Sequence, residues 1–290
     1  MIESLRASHY ADAAVQQLAT VIENVALARD TFRVRLHCPE IARRIVPGQF
    51  VMLRLAGLND PLLGRPLALY DTVLGENNEP IGIDVVYLVI GKMTGKLASF
   101  REGMKLDVWG PLGNGFEPRE TPHLIMVAGG IGQTPFVALG AEALGHKSFG
   151  SPSRRGGYAS RVTLCYGARQ ADYLAGVDDF RAAGIEVRVS TDDGSAGHCG
   201  LVTDLLRETL DSAAGNARVV CCGPEPMMEA VAELTRQRRI ECEVSLESPM
   251  ACGIGICFSC VARVRQPDGG WDYKRTCVEG PVFKADSIVW

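Results

Sequence analysis

The sequence predicts an antiparallel β-barrel, then an α/β domain built on a parallel sheet, then a small C-terminal module rich in cysteine. Three observations carry this. Short β-rich runs divided by turn residues occupy the first part of the chain. Strands alternating with helical patterns follow, and four of the ten cysteines fall after Ser248. A chain of 290 residues can bury more than one core. The expected domains are 18–116, 117–247 and 248–290.

Barrel strands are expected at Ala19–Leu27, Thr31–Leu36, Gln49–Leu55, Pro66–Tyr70, Ile83–Ile90 and Lys105–Trp109, with a short helix at Thr94–Phe100. Pro47-Gly48 and Glu76-Asn77-Asn78 punctuate them, since these residues favour turn conformations. The run Gly110-Pro111-Leu112-Gly113-Asn114-Gly115-Phe116 reads as a link. Beyond it, strands are expected at His123–Ala128, Arg161–Tyr166, Glu186–Ser190, Arg218–Cys221 and Glu241–Leu246. Helices are expected near Thr134–Leu144, Val177–Ala183, Gly200–Leu210 and Glu225–Gln237. A helix between successive strands makes a parallel sheet flanked by helices the economical arrangement. Residues 145–160, rich in Gly, Ser and Arg, read as a surface insertion, and Trp271–Val289 as a hairpin-like stretch.

Composition narrows the function classes. At 47% hydrophobic and 22% charged the chain lies far from the disordered class. A formal net charge of -4, a pI near 5.8 and no run of Lys or Arg argue against nucleic acid or an anionic membrane as partner. The stretch Met1–Thr20 carries Glu3, Arg6, His9 and Asp12 and lacks the layout of a signal peptide. Apolar runs such as Val85–Ile90 are strand-length, short of the roughly 20 residues that cross a bilayer. A cytoplasmic protein is expected.

Cysteine spacing gives the sharpest signal. Cys252, Cys257, Cys260 and the later Cys277 have the C-x4-C-x2-C…C pattern by which thiolates hold a plant-type 2Fe-2S cluster. Gly253 and Gly255 suit a tight loop whose amides point at sulfur. Structural zinc also takes four cysteines, but through two CxxC-like pairs, of which only Cys257–Cys260 is present. The other six, including Cys38, Cys165 and Cys199, read mostly as packing residues.

Two further segments allow a functional and a bland reading. In the barrel, Arg65-Pro66-Leu67-Ala68 opens a strand and Gly91-Lys92-Met93-Thr94 joins a strand to a helix. Arg65 could pair with a diphosphate and a helix start could hold an anion; equally, these are a barrel edge and an N-cap. Gly129-Gly130-Ile131-Gly132-Gln133-Thr134-Pro135 joins an apolar strand to a helix, where glycines let a dinucleotide approach the backbone. It departs from GxGxxG, and such turns are common in α/β proteins. Cys222-Gly223-Pro224-Glu225 is a second strand-to-helix turn that could simply start a helix.

In this order the barrel, link, glycine turn, Cys222-Gly223-Pro224 and cysteine quartet resemble the ferredoxin-NADP reductase superfamily. More narrowly, they resemble the electron-transfer subunits of NAD-linked, type B dihydroorotate dehydrogenases. The narrower likeness rests on Gly110–Phe116, on Asp193-Gly194-Ser195, Gly197 and Gly200–Thr203, and on Met250-Ala251-Cys252-Gly253. It covers Ala19 to Val289. The resemblance implies FAD along Arg65, Pro66, Leu67 and Ala68, beside Val86, Tyr87 and Leu88, with its diphosphate at Gly91, Met93 and Thr94. It implies the cluster on the four cysteines. The nicotinamide nucleotide would lie on Gly129, Gly130, Gly132 and Thr134 with Gly223 and Pro224, and Cys222 near its reactive ring. The family's flavin segment usually ends in Ser where this chain has Ala68, which removes one hydroxyl near the flavin ring.

The resemblance further implies an FMN-containing catalytic partner subunit in a heterotetramer, with electrons passing through the cluster and FAD to NAD in pyrimidine biosynthesis. The chain shows no acid/base pair or nucleophile motif for substrate chemistry, as suits a relay. A reductase subunit for another acceptor, of ferredoxin-NADP or sulfide reductase type, is the alternative, although the quartet lacks the Asp found in one such relative. A non-catalytic redox sensor is the third reading. Arg169 after the second nucleotide-domain strand would favour a 2′-phosphate and nearby Asp172 would oppose it; the resemblance tips the choice to NAD.

Overall fold

The computed structural model describes residues 10–213 and 216–290. Residues 1–9, the first part of the Met1–Thr20 stretch discussed above, lie outside it.

The first sheet contains β1 (Val15–Ala28), β2 (Thr31–His37), β3 (Phe50–Leu55), β4 (Arg65–Ala68), β5 (Asp71–Leu74), β6 (Pro80–Leu88) and β7 (Lys105–Leu112). All neighbours are antiparallel, in the order β4-β3-β7-β1-β2-β6-β5. Only Leu69 and Tyr70 separate the two edge strands in the chain, so the sheet curls on itself. Alternation along β2 sends Val34 and Leu36 into a core shared with Val51, Leu53, Val85 and Val108. Helix α1 (Pro39–Ala42) and strand β5 were not anticipated; both are too short to show a periodicity. Helix α2 (Lys92–Leu97) starts two residues before its expected position.

The second sheet holds β8 (Thr121–Gly129), β9 (Ala159–Ala168), β10 (Glu186–Thr191), β11 (His198–Cys199), β12 (Ala217–Cys222), β13 (Glu241–Ser245) and, near the C-terminus, β16 (Val282–Lys284). Helices α3 (Phe136–Ala143), α4 (Val177–Ala182), α5 (Val202–Ser212) and α6 (Glu225–Gln237) cover it. Its order is β11-β10-β9-β8-β12-β13-β16, parallel except at β13–β16. The chain builds outward from β8 in one direction and then returns to its other side with β12. The crevice beyond the ends of β8 and β12 is therefore the switch point at which such sheets take ligands.

Two expectations need correction. The C-terminal stretch is not one hairpin: β14 (Val261–Arg265) pairs with β15 (Trp271–Arg275), whereas β16 adds to the edge of the second sheet. Asn114 of the glycine-rich link holds it there, donating to Val282 O at 2.8 Å and accepting from Val282 N at 3.1 Å. Nor is 145–160 merely a surface insertion. Phe149 is buried in the barrel core and Tyr158 in the core of the second domain, and Arg154 forms a two-pronged ion pair with the fully buried Glu142 at 2.6 Å. Among the described residues no helix is long and apolar enough to cross a membrane.

Candidate functional site

One open cleft of about 760 Å³ lies where the barrel, the second sheet and the cysteine module meet, a volume suited to a cofactor. Its barrel wall is β4, β6 and the start of α2. Arg65, Pro66, Leu67 and Ala68 face it from β4, which pairs with β3 so that Ala68 lies opposite Phe50. Val86, Tyr87 and Leu88 line it from β6. The Tyr87 hydroxyl donates to Asn24 Oδ1 at 3.0 Å, and burial pushes its pKa up to about 12, so the ring is a fixed, neutral wall. Gly91, Met93 and Thr94 complete this side. The Thr94 hydroxyl accepts from the amides of Ile90 and Gly91, both at 3.2 Å, so it caps its own six-residue helix. Arg65 is exposed and donates only to the carbonyls of Leu63 and Gly64, leaving most of its fork free for an anion.

The nucleotide side differs. Ile131, Thr134, Pro135 and Cys222 reach the cleft, whereas Gly129, Gly130, Gly132, Gly223 and Pro224 do not line it. A Cβ on Gly132 would stand 2.3 Å from Cys222 O, and one on Gly223 2.9 Å from Gly129 N. These glycines let the turns after β8 and β12 interlock. Gly130, with φ +54° and open space around its Cα, is the member of the motif free to meet a ligand. Burial pushes the Cys222 thiol well above its ordinary range, the Glu247 charge adds to this, and a hydrogen bond with Ser245 opposes it. Cys222 is therefore a neutral thiol.

The third wall was not anticipated. Ser245, Glu247, Met250, Ala251 and Ser259 line the cleft between β13 and the cysteine loop. Glu247 and Arg65 are the charged side chains among the lining residues, and desolvation raises the Glu247 pKa. The available signal was position alone, since four of these five residues immediately precede Cys252.

None of the ten cysteines forms a disulfide. Cys260 and Cys277 are buried with sulfurs 3.2 Å apart. The hydrogen bond between them lowers Cys260 to about 6 and raises Cys277, so the pair readily holds one thiolate. The Ser259 hydroxyl and amide, with help from Cys252, lower Cys257 to about 6. The quartet thus falls into two pairs, Cys252 with Cys257 and Cys260 with Cys277, a donor set that fits two irons with two thiolates each. Trp109 Nε1 donates to Cys252 O at 3.0 Å and Arg275 to Gly255 O at 2.9 Å. The loop rests on the barrel: a Cβ on Gly253 would stand 2.6 Å from Met52, and Phe50, Met52 and Leu112 share a small core with Met250, Cys260 and Cys277. Of the six remaining cysteines, Cys38, Cys165, Cys221 and Cys242 are buried as packing residues, Cys222 is buried at the edge of the cleft, and Cys199 is exposed.

Comparison with known proteins matches this division. Residues 18–116 match an oxidoreductase FAD-binding domain, 126–233 an oxidoreductase NAD-binding domain, and 247–289 the iron-sulfur cluster binding domain of dihydroorotate dehydrogenase B. The last match removes the zinc alternative. Dihydroorotate dehydrogenase B (NAD(+)) electron transfer subunits from Desulforamulus reducens and Bacillus caldolyticus are 34% and 35% identical, covering 94% and 93% of this chain and 97% of each relative. Among solved structures, a chain of the NADH-dependent reduced ferredoxin-NADP oxidoreductase, described for flavin-based electron bifurcation, is 31% identical with a TM-score of 0.77. That match covers 94% of this chain and 90% of the other. On this likeness over nearly its whole length, the chain belongs to the family of dihydroorotate dehydrogenase B electron transfer subunits, NAD- and FAD-linked iron-sulfur oxidoreductases with the ferredoxin-NADP reductase fold.

Proposed function

We propose that this chain passes electrons between a catalytic dihydroorotate dehydrogenase subunit carrying FMN, its own 2Fe-2S cluster and FAD, and NAD, within a heterotetramer serving pyrimidine biosynthesis. The observation that carries this reading is the single cleft walled by barrel, nucleotide domain and cysteine loop. A relay needs its cofactors side by side, and each of the three modules supplies a wall of this one cleft. Bound FAD exchanges electrons in pairs with a nicotinamide and singly with an iron-sulfur centre.

The chain's own residues bind, orient and shield. In this reading Arg65 neutralises the FAD diphosphate at the cleft rim, β4 and β6 supply its apolar walls, and the Gly91 turn receives its phosphates. Gly130 and Thr134 take the nicotinamide nucleotide, with the neutral Cys222 thiol near the ring. Cys252, Cys257, Cys260 and Cys277 hold the cluster, and Trp109 and Arg275 fix the carbonyls of its loop. Six further cysteines outside any disulfide suit the reducing cytoplasm, where we place the protein.

The likeness to a ferredoxin-NADP oxidoreductase chain favours one second reading, a subunit of an NADH- and ferredoxin-linked complex. Purification with whatever remains bound, followed by anaerobic NADH titration of the visible spectrum, tests both. Flavin and cluster bands should bleach, and the bound partner should contain FMN and convert dihydroorotate to orotate. A partner reacting with ferredoxin instead would replace the first reading with the second, and a protein indifferent to NADH would overturn both.

A further inference from the structure

Ser259 stands between the cluster ligands and the flavin cleft. Its hydroxyl is 3.2 Å from Cys257 Sγ, accepts the Ala251 amide at 3.2 Å and lies 3.4 Å from Pro249 O. Pro249, Ala251 and Ser259 all line the cleft, and Ser259 is exposed.

A hydroxyl has one proton to give. When Cys257 is a ligand its sulfur carries no proton and can only accept. The choice of acceptor then lies between a thiolate and the neutral Pro249 carbonyl, and the charged sulfur wins on both charge and distance. The result is a chain in which Ala251 N–H donates to Ser259 Oγ and Ser259 O–H donates to Cys257 Sγ, each bond polarising the next.

We propose that Ser259 is a positioning residue of the relay: its hydroxyl raises the reduction potential of the cluster by donating to Cys257 and, through Ala251, fixes the cluster-side wall of the flavin cleft. A reduced cluster carries one more negative charge than an oxidised one, so a donor aimed at a ligand sulfur stabilises the reduced form more. The proposal rests on the quartet holding a 2Fe-2S cluster, as above.

The test is a potentiometric titration of the purified holoprotein followed by EPR, on wild type, Ser259→Ala and Ser259→Thr, with iron and labile sulfide measured per chain. Ser259→Ala should shift the ratio of reduced to oxidised cluster about tenfold toward oxidised at a given potential, about 59 mV for a one-electron couple. Ser259→Thr should return toward wild type. A loaded Ser259→Ala cluster with an unchanged midpoint, or a Ser259→Thr midpoint as low as that of the alanine variant, overturns the proposal. If Ser259→Ala fails to retain the cluster, Ser259→Gly removes the same hydroxyl and is read by the same criterion. Absence of a 2Fe-2S signal in wild type would instead overturn the cluster assignment itself.

Discussion

The two walls of the cleft are built on opposite principles. The barrel wall presents side chains: Arg65 projects with most of its donors unused, and Pro66, Leu67, Tyr87 and Leu88 form an apolar surface. The nucleotide wall presents only Ile131, Thr134, Pro135 and Cys222, and most of its motif glycines are consumed in bringing two turns together. Glycine-rich turns are usually read as space left for a ligand. Here Gly129, Gly132 and Gly223 first solve a packing problem between β8 and β12, and Gly130 alone is left in the open. Substitutions should therefore damage stability on the nucleotide side and cofactor binding on the barrel side.

The largest effect expected from this contrast is at Gly132. Gly132→Ala places a methyl 2.3 Å from Cys222 O and 2.7 Å from Gly223 N, and overpacking of this kind costs about 3 kcal/mol. Gly130→Ala meets nothing within 4 Å and bears only the strain of φ +54°, about 1 kcal/mol. Denaturant unfolding of the two variants checks this, and equal losses would break the interlock argument.

Next comes Arg65→Ala, which should leave unfolding stability within about 0.5 kcal/mol while weakening FAD binding about 10- to 100-fold, the worth of a charge-assisted bond. Flavin fluorescence on equilibrium dilution measures it. A large stability loss would show that the barrel wall, too, is chiefly structural.

Trp109→Phe keeps the ring packing of β7 against the cysteine loop and removes the bond to Cys252 O. The cost should be about 1 kcal/mol, seen as roughly fivefold faster loss of iron to a chelator. The smallest effect is at Ala68, the departure from the family pattern. Ala68→Ser adds one hydroxyl to the barrel wall and should raise the rate of flavin reduction by NADH about two- to fivefold, the equivalent of a fraction of one hydrogen bond. No change in stopped-flow reduction would mean that another group already fills that role.

Much of this was legible beforehand because it is local. The quartet shows in cysteine spacing, the parallel sheet in the alternation of strands and helices, and the cleft-lining strand in Arg65–Ala68. Residues 145–160 misled because their composition is polar while two anchors, Phe149 and Tyr158, decide where they sit. The Trp271–Val289 stretch misled because β16 finds its partner, β13, about forty residues back rather than next door.

By itself, then, the sequence determined the barrel-then-parallel-sheet architecture, the cysteine spacing of an iron-sulfur module and the barrel side of the cleft, all written in local periodicities and spacings. Only the tertiary structure decided which glycines pack and which stay open, that Asn114 ties β16 into place, and that Ser245–Ala251 and Ser259 wall the cleft. These depend on backbones that lie far apart in the chain approaching within a van der Waals contact. Such an approach leaves no local pattern, because its partners belong to elements far apart in the chain.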